Sequence, residues 1–198
     1  MKRISFLITA IFAIAAFVSF ANVSAKDGLA IGSTLENFDL TDTKGTLYSF
    51  NHLKGKNGAI IVFLSVQCPV VKGYNERIVK IAEDYKAKGI NVIGINSNST
   101  ETLDKVKLHA AENYKFPVLI DKNNVLADRF GANVTPEMFY FNGKNVLTYH
   151  GAIDNDRSGK NVTTDFLRTA LDESLSGKAV TKSTANAFGC SIKRAEKN

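Results

Sequence analysis

Cysteine is scarce in this sequence, and its scarcity limits the classes of protein to consider. Only two cysteines, Cys68 and Cys190, occur among the 198 residues. Two thiols are too few for a disulfide scaffold, so they form either one pair or two independent thiols. The remaining composition, 44% hydrophobic and 22% charged, is that of one ordinary globular domain.

Several signals for ligand chemistry are missing as well. The three histidines have no metal-ligand spacing with either cysteine, so no metal site is expected. The sequence has no glycine-rich phosphate loop and no nicotinamide fingerprint, so no cofactor is expected. The net charge of +6 comes mainly from scattered basic residues, which indicates solubility rather than a nucleic-acid surface.

Acidic residues are absent from the chain before Asp27. A basic start precedes the nearly continuous apolar run 4–20, and residues 23–25, Val-Ser-Ala, form a small-residue cleavage site. This pattern predicts a cleaved secretory signal peptide over residues 1–25. The alternative is an uncleaved membrane anchor. We therefore expect a periplasmic or secreted mature protein, with no stable membrane span after cleavage, in a compartment where disulfides persist.

The segment 58–85 carries the strongest signal for a reactive residue. Apolar residues run unbroken over 59–64, as in a strand buried on both faces. After Cys68-Pro69 the apolar residues recur at helical spacing, and proline suits the first position of a helix. Cys68 therefore lies close to the N-cap, where free amides and the helix dipole would lower the pKa of its thiol. The alternative is that Cys68 is a small, unreactive core residue.

The order of elements predicts the class of fold. From the central strand onward, the hydrophobic patterns read β-α-β-α-β-α-β-β-α. This order predicts an α/β fold, with a mixed central sheet and helices on both faces, over residues 26–177. The tail 178–198, which carries Cys190, shows no periodicity.

Two helix starts are expected after the second buried strand. Ser99 or Thr100 would cap a helix that extends to about residue 114, and Thr163 or Thr164 would cap the final helix. The apolar positions of the first of these helices are Leu103, Val106, Leu108 and Ala111.

Four stretches, in this order, make the chain similar to a known superfamily. They are CPVVKGYNERI at 68–78, VIGINSNST at 92–100, VTPEMFYFNGKNVLTYHGAIDNDR at 134–157 and GCSIK at 189–193. Together they resemble the peroxiredoxin-like branch of the alkyl-hydroperoxide-reductase/thiol-specific-antioxidant superfamily. The resemblance covers roughly residues 31–193 and implies a thioredoxin-like fold with Cys68 as the redox-active cysteine.

The chain departs from two motifs of these relatives. Thioredoxin-type dithiol sites have a second cysteine three positions after the first, where this chain has Val71. A resolving thiol would have to be Cys190, whose alternative role is a free or structurally bridged thiol. Peroxiredoxin-type sites have Ser or Thr three residues before the cysteine, and Ser65 would there hydrogen-bond the thiolate. Those sites also have proline seven residues before it, where this chain has Ile61.

The resemblance also implies a substrate side of the site. Thr135 and Pro136 match the loop that faces the cysteine in thioredoxin-like proteins, where the proline is cis and the backbone bonds an extended substrate or the tail. Asn96 and Asn98 follow a buried strand and should lie beside the cysteine, where they would orient the thiol or a peroxide, or form a turn. Arg77 would supply positive charge or lie on a solvated helix face.

These observations leave three functions open. The leading hypothesis is a secreted thiol–disulfide redox protein in which Cys68 is the nucleophile and Cys190 the resolving thiol. Its partners would be a thiol or disulfide protein, or a small-molecule thiol reductant. The second is a one-cysteine peroxidase that takes a peroxide and is reduced by an external thiol. The third is a non-catalytic binding module with a structural Cys68–Cys190 bridge.

Overall fold

The computed structural model of the protein describes residues 28–196. The predicted signal peptide, residues 1–25, lies outside this range. Within the range, no helix combines the length and the apolar character that a membrane span needs.

The described part of the chain alternates strands and helices in the predicted order. The strands are β1 (Asp39–Asp42), β2 (Leu47–Ser49), β3 (Gly58–Leu64), β4 (Ile90–Asn96), β5 (Val118–Ile120), β6 (Val134–Thr135), β7 (Glu137–Asn142), β8 (Leu147–Gly151) and β9 (Cys190–Ser191). The α-helices are α1 (Phe50–Leu53), α2 (Pro69–Lys86), α3 (Leu103–Asn113), α4 (Val125–Phe130) and α5 (Phe166–Leu175).

Seven of the strands form one mixed sheet, in the order β2-β1-β5-β4-β3-β7-β8. Strand β3 lies in the interior of the sheet. Every one of its residues is buried, which requires other elements to pack on both faces of the sheet. It runs parallel to β4 and antiparallel to β7. The apolar faces of α2, α3 and α5 pack on one side of the sheet, and those of α1 and α4 on the other. The predicted α/β fold with helices on both faces is confirmed.

Two helices begin later than the sequence predicts. The N-cap of α3 is Thr102 rather than Ser99, because the N–H and the hydroxyl of Ser99 both bond to the C-terminal tail. The N-cap of α5 is Asp165. Thr163 and Thr164, which were expected there, instead donate their N–H groups to a side chain of the preceding loop.

The apolar positions of α3 do not all face the core. Val106 is buried, but Leu103 and Leu108 are 53% and 61% exposed. The side of α3 that meets α2 is partly polar, since Asn75 of α2 donates a hydrogen bond to Asn113 of α3. Hydrophobic spacing therefore does not identify the inward face of this short helix.

The tail packs on the domain through backbone hydrogen bonds, although its sequence has no period. Ser183 and Ala185 bond to the backbone of His150 at the outer edge of β8. Farther on, β9 pairs antiparallel with β6 to form a separate two-stranded sheet. The domain boundary at residue 177 stays a prediction.

Candidate functional site

Cys68 lies at the junction that the sequence predicts, between the end of β3 and the start of α2. It is the N-cap of α2, and Pro69 is the first helical residue. Cys68 is only 2% exposed, and its thiol donates a hydrogen bond to the carbonyl oxygen of Thr135 at 3.2 Å. The sulfur therefore lies among buried groups that can hold it in one position.

The opposite wall of the site is the short strand β6. The peptide bond between Thr135 and Pro136 is cis, as the resemblance implies. Strand β9 pairs with β6, and Cys190 is the register partner of Thr135. Both cysteines are free thiols, and Cys190 packs against the buried cluster that contains Cys68. The tail thus brings together two thiols that are far apart in sequence.

The pairing of β9 with β6 depends on a glycine, because the two strands are closely packed. A Cβ on Gly189 would lie 2.0 Å from the carbonyl oxygen of Thr135, a distance that no side chain tolerates. The absence of a side chain at Gly189 therefore allows β9 to lie against β6 and brings Cys190 to the site.

The two thiols have opposite pKa shifts. Burial raises the pKa of Cys68, but hydrogen bonding by the Cys190 side chain, the N–H of Val71 and the Thr135 side chain outweighs it, so the pKa is below its ordinary value. Burial and the neighbouring Cys68 raise the pKa of Cys190. The direction at Cys68 agrees with the sequence analysis. The cause differs, because Cys190 lowers the pKa of Cys68 more than the helix amide does.

Ser65 has a different partner from the predicted thiolate. Its hydroxyl donates to Glu101 at 2.6 Å, and the N–H groups of Val66 and Gln67 donate to the same carboxylate. None of the described hydrogen bonds joins Ser65 to Cys68. A catalytic role for Ser65 is therefore not supported by contact, because Glu101 takes its only proton.

Asn96, the last residue of β4, and Asn98, just after the strand, hold backbone rather than a thiol. Asn96 and Asn98 each donate a side-chain N–H to the carbonyl oxygen of Leu64, at 3.4 and 3.3 Å. The side-chain oxygen of Asn98 also accepts the N–H of Lys193 at 3.0 Å. Both asparagines thus bind the end of β3, and Asn98 connects it to the tail.

Arg77 holds the loop that follows β8. Its guanidinium pairs with the buried carboxylate of Asp154 at 2.6 Å and bonds the carbonyl oxygens of Asp156 and Arg157. It also lies over the ring of Tyr74, 3.6 Å from the ring centre. In residues 28–196 no described hydrogen bond links Arg77 to either cysteine. Arg77 therefore lies neither on a solvated face nor in contact with the thiols.

Two carboxylates at the site were missed by the sequence analysis. Glu101 lies in the turn before α3, and Glu137 begins β7 directly after the cis-proline. One oxygen of Glu137 accepts the N–H groups of Asn133 and Val134, and the other lies 2.6 Å from Nε2 of His150. Glu137 could have been singled out from the sequence, because it is a charged residue at the start of a largely apolar strand. Nothing in the local sequence singles out Glu101.

A buried strand, a cysteine at the N-cap of the next helix and a facing cis-proline loop define a protein of the thioredoxin-like fold. The match to the AhpC/TSA family model covers residues 31–154. The chain therefore belongs to the AhpC/TSA family.

Individual relatives agree with this assignment. The thiol-disulfide oxidoreductase ResA of Halalkalibacterium halodurans is 28% identical over 127 residues, which are 64% of this chain and 71% of that protein. A crystal structure of a hypothetical protein from Sinorhizobium meliloti 1021 is 34% identical, with a TM-score of 0.79, and the match covers 86% of this chain and 98% of that one. A putative thioredoxin from Neisseria meningitidis is 24% identical, with a TM-score of 0.53, over 61% of this chain and 79% of that one, which confirms the fold.

Proposed function

We propose that the protein is a thiol–disulfide oxidoreductase in which Cys68 is the nucleophile and Cys190 the resolving thiol. The observation that carries the proposal is the pairing of β9 with β6, in which Cys190 is the register partner of Thr135, whose carbonyl oxygen accepts the hydrogen bond of the Cys68 thiol. A lowered pKa at Cys68 supports its role, because the thiolate is the attacking species. The name of the ResA relatives supports the same reaction class.

The cycle would transfer two electrons from the cysteines to a partner disulfide. The Cys68 thiolate attacks one sulfur of the partner disulfide, which forms a mixed disulfide and releases the first partner thiol. Cys190, once deprotonated, then attacks the Cys68 sulfur and releases the second partner thiol. The protein is left with a Cys68–Cys190 disulfide, which an external dithiol or thiol reductant returns to two thiols.

Val71 supports the assignment of the second step to Cys190. The residue three positions after Cys68 has no sulfur, so the resolving thiol cannot come from the helix.

A partner would meet the wall that β6 forms. There Thr135 offers its backbone hydrogen-bonding groups, and Pro136 shapes the loop. Because β9 occupies the free edge of β6, an extended partner segment would have to displace the tail to pair there.

Trapping the intermediates tests this proposal. A Cys190→Ser variant, mixed with a peptide disulfide, should accumulate a mixed disulfide on Cys68, and a Cys68→Ser variant should accumulate none. Peptide mapping of the oxidised wild-type monomer should show the Cys68–Cys190 crosslink. A monomer that oxidises without this crosslink would contradict the resolving role and favour the one-cysteine peroxidase.

Two further measurements separate the alternatives. Sulfenic acid formed at Cys68 by hydrogen peroxide, followed by reduction with an external thiol, would indicate the peroxidase. A Cys68–Cys190 reduction potential below about −300 mV would indicate a structural bridge. A working disulfide should have a higher potential than this.

The proposal includes export through the N-terminal signal peptide. The support is the apolar segment with its small-residue exit at Ala25. N-terminal sequencing of exported protein should give Lys26 as the first residue. Recovery of Met1 in a membrane fraction would instead indicate an anchor.

A further inference from the structure

We propose that Glu101 is a positioning residue for the Cys68 nucleophile: its carboxylate fixes the loop of residues 65–67 that connects β3 to the cysteine. The inference rests on the proposed role of Cys68. It adds to the site a residue from a distant part of the chain, in the turn before α3.

The loop 65–67 leaves the sheet directly before Cys68. Strand β3 ends at Leu64, and α2 begins at Pro69, so the N–H groups of the loop have no partner in either element. Buried or half-buried N–H groups need acceptors, and an unsatisfied group costs free energy. Glu101 supplies acceptors for all the donors described in this loop.

Each carboxylate oxygen of Glu101 accepts two hydrogen bonds. Oε1 accepts from the Ser65 hydroxyl at 2.6 Å and from the Gln67 N–H at 3.0 Å. Oε2 accepts from the Val66 N–H at 3.1 Å and from the Asn96 side chain at 2.6 Å. Four donors converge on one carboxylate, and hydrogen bonds to a charged acceptor are stronger than neutral ones.

Glu101 would act through the loop rather than by contact. No described hydrogen bond within residues 28–196 joins Glu101 to either cysteine. The loop nevertheless sets where Cys68 enters α2, and therefore its distance from the N–H of Val71 and from Thr135, which favour its thiolate. A displaced loop would weaken those contacts although the residues that make them are unchanged.

The chemistry of glutamine makes Glu101→Gln a sharp test. In either orientation, its amide NH₂ replaces one of the two oxygens and faces a backbone N–H, that of Gln67 or that of Val66, which thereby loses its acceptor. Glu101→Asp keeps both oxygens on a side chain that is one methylene shorter, and it should restore part of the effect. The matched control is Glu112→Gln, which makes the same charge change at an exposed position of α3.

The readout is the pH midpoint of Cys68 alkylation in the Cys190→Ser background. The midpoint is preferred to the rate, because the rate also reports how exposed the thiol is. Glu101→Gln should raise the midpoint, with the thiolate fraction at neutral pH lowered about threefold or more. Glu101→Asp should fall between Glu101→Gln and the parent, and Glu112→Gln should match the parent.

The possible outcomes are distinct. A midpoint in folded Glu101→Gln equal to that of Glu112→Gln would overturn the inference, as would equal increases in both. If Glu101→Gln does not fold, Glu101→Asp and Ser65→Ala test the same network, and unchanged midpoints in both would overturn it. A parent midpoint at or above the ordinary value of about 8.5 would overturn the nucleophile itself. A low parent midpoint that Glu101→Gln leaves unchanged would remove only the role of Glu101.

Discussion

The two cysteines lie in parts of the fold that differ in how firmly they are packed. Cys68 joins a fully buried central strand to an 18-residue helix whose inner face is part of the core. Cys190 lies in a two-residue strand on a tail held mainly by backbone hydrogen bonds, with Ile192 as its buried anchor. Segments with few buried apolar contacts open at lower free energy than the core. The fold therefore holds Cys68 in the core and leaves Cys190 on a segment that is expected to open more easily.

Two side-chain truncations should give the largest difference in stability between the core and the tail. Phe63 is fully buried between the rings of Phe130 and Phe139, so Phe63→Ala should lower the free energy of unfolding by about 3–5 kcal/mol. Ile192→Ala should lower it by less than about 2 kcal/mol, because the tail detaches without the domain. Urea denaturation measures both values. Equal losses would show that the tail unfolds only with the core.

A glycine substitution should separate the two thiols without changing either. Gly189→Ala places a Cβ against the Thr135 carbonyl oxygen and should force β9 from β6. Formation of the Cys68–Cys190 disulfide by a small oxidised thiol should then slow about tenfold or more, because the thiols lose their fixed approach.

The matched control for that variant lies in α2. A Cβ on Gly73 meets no atom within 4 Å, so Gly73→Ala should leave disulfide formation unchanged. It should also stabilise the helix by about 0.5–1 kcal/mol. A disulfide rate in Gly189→Ala equal to that in Gly73→Ala would contradict the docking of β9.

The smallest expected effect is the change that the side chain at position 190 makes to the pKa of Cys68. Cys190→Ser keeps a donor near Cys68, whereas Cys190→Ala removes it, so the pKa of Cys68 should be higher in Cys190→Ala. A higher pKa means less thiolate at neutral pH, and we expect a fall of about threefold to tenfold. Alkylation measured across pH gives both midpoints. Equal midpoints would show that Cys190 does not lower the pKa of Cys68.

The site residues were predictable to the extent that their signals were local. The position of Cys68 follows from a change of hydrophobic period and a proline, both within a few residues. The contact of Ser65 was not predictable, because its acceptor, Glu101, lies in another loop. Leu103 and Leu108 gave a wrong face for α3 for the same reason: its inward side depends on polar groups of α2.

The sequence by itself determined the α/β order, the buried central strand and the cysteine at the N-cap of a helix. These features depend on periodicity, capping and backbone preference, which act over short stretches of chain. Only the tertiary structure decided that Cys190 pairs with the residue that the Cys68 thiol contacts, and that Glu101 and Glu137 hold the two loops of the site. Such contacts depend on which residues, distant in sequence, the fold brings together.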